Sequence, residues 1–83
     1  MEETRIAMLG IIVNDKKQTA GLNEILSDYQ EYILGRMGIP HQHHNGLELA
    51  IISIAIEAPG DVINAISGKI GMLPGISSKV IYA

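Results

Sequence analysis

Read for its alternation of apolar and polar positions, the chain is organised around Leu47–Ala58, LELAIISIAIEA, with four isoleucines and no glycine inside. That content predicts a β-strand. Successive side chains of a strand point to opposite faces. Ala50, Ile52, Ile54 and Ile56 therefore share one face, and Leu47, Leu49, Ile51 and Ala55 the other. Both sets are apolar, which places the strand in the middle of a sheet. Arg5–Val13, RIAMLGIIV, has the same character, with Ala7, Leu9, Ile11 and Val13 opposite Ile6, Met8, Gly10 and Ile12. The two segments are expected to lie side by side.

After Val13, Asn14-Asp15 breaks the run, and Asp15 with Gln18 matches a capping box at a helix start. Leu22, Ile25, Leu26 and Tyr29 then fall at helical spacing. Gly21 weakens that helix by about 1 kcal/mol relative to alanine unless something packs closely against it. Tyr32–Ile39, YILGRMGI, reads as a weaker edge strand, interrupted by Gly35 and Gly38 and stopped by Pro40. The polar stretch His41–Gly46, ending in Asn-Gly, reads as a hairpin turn before the central strand. Beyond Pro59-Gly60, Val62, Ile63, Ile66 and Ile70 make the stripe of a second helix, with Asp61 in its first turn and Gly71 as a left-handed terminator. Leu73-Pro74-Gly75 turns the chain into a last strand, Ile76–Tyr82.

The order strand, helix, strand, strand, helix, strand, joined by right-handed crossovers, predicts an α+β ferredoxin-like βαββαβ fold. It is a four-stranded antiparallel sheet with two helices on one face, and its first and third strands are central. Those are the two strands whose faces are both apolar. Two helices cover only one side of the sheet, so the other side presents an apolar patch. The chain is therefore expected to form a homodimer or tetramer through that face. Alternation alone leaves open which residue set faces the helices.

Eighty-three residues make a single domain, residues 1–83. A hydrophobic content of 47% with 18% charged residues describes a folded globular chain. With no cysteine, disulfides and thiolate chemistry are excluded. A net charge of -3 argues against direct nucleic-acid binding. The acidic start, MEETRIAMLG, lacks the basic region of a signal peptide, and no apolar run spans a bilayer. The expectation is a cytoplasmic chain with no membrane partner.

RIAMLGIIVND, LNEILSDYQEYILGRMGIP, APGDVINAISGKIGMLPGIS and the closing KVIYA resemble, along nearly the whole chain, a small bacterial family of iron-only hydrogenase system regulators. GRMGIP followed by LPGI is the most specific part. That family is similar to ACT-like regulatory domains and to the C-terminal effector domain of nickel-responsive repressors. The resemblance implies a bacterial, cytoplasmic oligomer with a regulatory or sensing role; the chain is expected to act through a small effector or a protein partner, with no enzyme activity and no cofactor. Laid on the repressor pattern, the nickel-ligand positions fall at Ser27, Gly38, Pro40 and Gly46, none of which supplies the imidazole or thiolate of a planar nickel site. The ribbon-helix-helix DNA-binding arm of the repressors has no counterpart in the few residues before the first strand.

Two places carry candidate chemistry. The resemblance to ACT-like domains implies an effector site at the first strand–helix junction, Asn14 and Asp15, where helix N–H groups suit an anion. Against it, Asp15 capping its own helix competes for the same donors. His41, His43 and His44 are the metal-ligand candidates by residue type, and a metal-binding or metal-delivery role through that turn is the alternative function. A solvated turn with no ligand is the plainer reading, since no cysteine or carboxylate adjoins it. No GxGxxG or GxxxxGK phosphate loop is present. An RNA-recognition reading fails because the central strands are aliphatic and Tyr29, Tyr32 and Tyr82 lie elsewhere. The acids are scattered with no base–nucleophile pair.

Overall fold

The structure is a computed structural model that describes residues 3–44 and 47–83, with the backbone alone for 40–44 and 47–48. Its strands are β1 (Arg5–Val13), β2 (Ile33–His44), β3 (Leu47–Ala58) and β4 (Ile76–Tyr82), and its helices are α1 (Thr19–Asp28) and α2 (Gly60–Gly71). The sheet order is β2-β3-β1-β4, all neighbours antiparallel, so the two doubly apolar strands are the central ones. This is the ferredoxin-like α+β arrangement expected from the sequence.

Register decides which apolar set meets the helices. Along β1, Ala7, Leu9, Ile11 and Val13 are buried, and they pair with Ile56, Ile54, Ile52 and Ala50 of β3. Residues directly opposite in a ladder point to the same side. Leu22 and Leu26 of α1 and Ile63, Ile66 and Ile70 of α2 close over that side, completing the core with Ala58 and Ile76. The helix stripe spacings read from the sequence supply all five helical core residues. The opposite set, Ile6, Met8 and Ile12 with Ile51, is left exposed.

Three local readings change. Asp15 caps not α1 but a single 3-10 turn, Lys16–Gln18, that precedes it: its Oδ1 accepts from the backbone N–H of Lys17 at 3.0 Å. α1 itself starts at Thr19 without a side-chain cap. β2 does not stop at Pro40 but continues to His44, so the backbone of His41, His43 and His44 is strand and not turn. Register shifts between Ile33 and Gly35 and between Ile39 and Gln42 absorb the breakers. A proline is accommodated at such an irregularity on an edge strand because no ladder hydrogen bond is asked of it. Lastly, the left-handed glycine is not Gly71 but Gly75, at φ 73°. α2 ends instead by tightening: the N–H of Met72 donates to the carbonyls of Gly68 and Lys69, and that of Leu73 to Ile70.

Candidate functional site

The Asn14–Asp15 junction lies where β1 leaves the sheet. The backbone N–H of Asn14 donates to the carbonyl of Gly75 at 2.7 Å, tying the junction to the turn before β4. Asp15 is half-buried, engaged with Lys17, and so close to Gly75 that a Cβ on that glycine would stand 2.7 Å from the Asp15 Cβ. Asn14 is exposed. The two residues thus share a corner, but only Asn14 offers an open side chain there; the carboxylate serves the local turn.

A hollow of about 300 Å³ opens further across the same end of the sheet, lined by Arg36, Gly38, Ile39, Ala50, Ile51 and Ile52. Arg36 pairs in register with Ile54 and Gly38 with Ile52, which puts Arg36, Gly38, Ala50 and Ile52 on the helix side. Arg36 Nη2 donates to Asn23 Oδ1 of α1 at 3.1 Å. Sequence pattern does not mark this arginine, because a cation on an edge strand looks like a solvent-facing residue and Asn23 lies 13 residues away. The one signal was its setting, a charge between two glycines in GRMG.

The open face of the sheet is the third feature. Ile39↔Ile51↔Ile12 forms one apolar row across β2, β3 and β1. Ala55↔Met8↔Ile81 forms another nearer the opposite end, beside Ile6. Between them lie Met37, Ser53, Gly10 and Lys79. Met37 and Ile81 are each 66% exposed and Ile6 52%. A second hollow of about 210 Å³ lies around Ile6, Met8, Ala55 and Ile81.

Of the histidine stretch only the backbone is described: His43 pairs with Glu48 and His44 with Leu47. The predicted Asn45-Gly46 turn lies outside the described residues. Among the described residues no group of three or more His, Cys, Asp or Glu side chains is placed to hold a metal ion. Among them, too, no helix is long and apolar enough to cross a membrane.

Comparison with known families matches residues 5–80 to the TM1266-like family, described as "Iron-only hydrogenase system regulator, putative". The solved structure of TM1266 from Thermotoga maritima, an uncharacterized protein, superposes at a TM-score of 0.86 with 34% identity, over 96% of this chain and 98% of that one. The chain belongs to the TM1266-like family. No curated protein matches it. More distant structures share the fold alone. CPII from Thiomonas intermedia K12, in a structure bound to ADP, AMP and acetate, has a TM-score of 0.61 at 13% identity over 98% of this chain and 89% of its own. A de novo designed protein, Foldit4, has a TM-score of 0.54 at 15% identity over 98% and 97%. That a designed chain adopts the architecture shows how little the fold by itself says about activity.

Proposed function

We propose that this chain is a non-enzymatic regulatory module of an iron-only hydrogenase system, which assembles with copies of itself through the open sheet face and responds to a small effector or a protein partner. The observation that supports it is the open face itself. Seven large apolar side chains, Ile6, Met8, Ile12, Met37, Ile39, Ile51 and Ile81, stand exposed on this one face of the sheet. At on the order of 1 kcal/mol for the remaining exposed area of each, two copies together reach roughly 10–15 kcal/mol. That matches or exceeds the association cost of about 4–15 kcal/mol. A dimer or a tetramer built of such dimers satisfies the surface.

Effector binding is the second part of the reading. It rests on the exposed Asn14 and on the distant likeness to CPII, so amino acids and adenine nucleotides are the first compounds to screen. With its net charge of -3, the chain acts on DNA only through a partner. Gel shifts on neighbouring promoter fragments at low salt are expected to give no discrete complex with this chain alone.

The deciding experiment is sedimentation at micromolar concentration. Wild type is expected to run as a dimer or tetramer, and Ile51→Asp as a folded monomer. A wild type that stays monomeric at every concentration overturns the reading.

A further inference from the structure

We infer that the hollow on β2 and β3 beside Arg36 is a binding site for a small monocarboxylate with an apolar body, held by Arg36. This deepens the effector reading above and rests on it.

The cation comes first. A guanidinium carries five N–H donors in a planar fork suited to a carboxylate. Arg36 commits one of them to Asn23 Oδ1 at 3.1 Å, a neutral acceptor. Among the described residues no carboxylate pairs with Arg36. Among the described residues its charge is thus oriented by α1 and meets no counter-charge, which leaves the rest of the fork to a ligand.

The floor comes second. Gly38 sits in β2 with an ordinary backbone, since Gly75 is the described glycine at positive φ. A Cβ built on Gly38 would meet nothing within 4 Å. Neither backbone conformation nor close packing therefore asks for glycine there, and glycine weakens a strand. What its missing side chain does is keep the hollow open beside Arg36. Ile39 of β2 and Ala50, Ile51 and Ile52 of β3 complete the lining with apolar surface. A volume of about 300 Å³ is at the small end of ligand sites. A guanidinium at the rim of a small apolar hollow selects a carboxylate at one end and a hydrocarbon chain at the other.

The placement also bears on Asn14. Val13 pairs with Ala50, so the β1–α1 junction and the hollow occupy the same end of the sheet. A carboxylate bound at Arg36 needs no contact with Asp15, whose Oδ1 is engaged with Lys17.

Hexanoate is the probe. Titrated into the 15N-labelled protein, it is expected to give saturable shifts at the amides of Arg36, Gly38, Ala50 and Ile52. Affinity should rise from acetate through butyrate to hexanoate, and hexylammonium should give no such shifts. Arg36→Gln, an exposed change that leaves the core alone, should weaken hexanoate at least about tenfold, the loss of a charge-assisted pair. Gly38→Val fills the hollow and should abolish binding, while its spectrum reports that the fold is kept. The inference is overturned if wild type shows no saturable shifts at these amides, or if Arg36→Gln binds as wild type does. Shifts centred on Asn14 and lost in Asn14→Ala would overturn the site while leaving the effector reading standing.

Discussion

Gly75 and Asp15 show how much of this molecule turns on single positions. Gly75 adopts φ 73°, and an added Cβ would come within 2.7 Å of the Asp15 Cβ. A left-handed conformation costs a non-glycine residue about 1–2 kcal/mol before any clash. Gly75→Ala is therefore expected to lower stability by about 2 kcal/mol or more, read from urea denaturation. Asp15→Ala removes the side-chain cap on the 3-10 turn and should cost about 1 kcal/mol, whereas Asp15→Asn retains most of it. Both residues were legible as turn chemistry, but the left-handed position was not. Gly71 and Gly75 are alike as letters, and only the tightened end of α2 sends the reversal to the second. Arg36 was illegible for a related reason: its meaning comes from a hydrogen bond to another element and from what Gly38 lacks.

At the scale of elements, the helices and central strands were readable because each buries one regular stripe. α1 carries a further test of close packing. A Cβ on Gly21 would stand 3.3 Å from Leu73 Cδ2, the far end of a flexible side chain. The helix gains about 1 kcal/mol from alanine over glycine, and Leu73 can yield a few tenths of an ångström. Gly21→Ala is expected to raise stability by about 0.5 kcal/mol in thermal denaturation. β3 supplies the sharper contrast, since neighbouring isoleucines have opposite fates. Ile52 is 8% exposed and Ile51 36%. Ile52→Asp would bury an unpaired carboxylate, a loss of more than about 4 kcal/mol that approaches the whole stability of a small domain. Circular dichroism should show an unfolded chain, where Ile51→Asp stays folded. β2 was the element misread in length. Pro40 and the histidines look like turn residues, and nothing in the letters reveals that two irregularities let the strand run on past them.

For the whole molecule, the letters gave the topology but not its orientation. Both faces of β1 and β3 are aliphatic, so pattern alone is symmetric between them. The asymmetry comes from the flanks: Ile76, Val80 and Tyr82 of β4 fall in register with Val13, Leu9 and Ala7, adding bulk to the helix side. Tyr82 is further held from two directions, its hydroxyl donating to Asn64 Oδ1 at 2.9 Å and the Arg5 guanidinium lying 4.0 Å from its ring centroid. Ser77 and Lys79 are left on the open side of that edge.

The two edges of the sheet are not equally defended against runaway growth. β2 carries two bulge-like shifts and a proline, the irregularities that keep a strand from templating another chain. β4 pairs with β1 in unbroken register from Tyr82 to Ile76, with neither bulge nor proline and with Lys79 as its one charge. Heat-induced fibrils of Ile51→Asp protein should therefore protect the amides of residues 76–82 from deuterium more strongly than those of 33–39. Aggregation, once begun, has its doorway at β4.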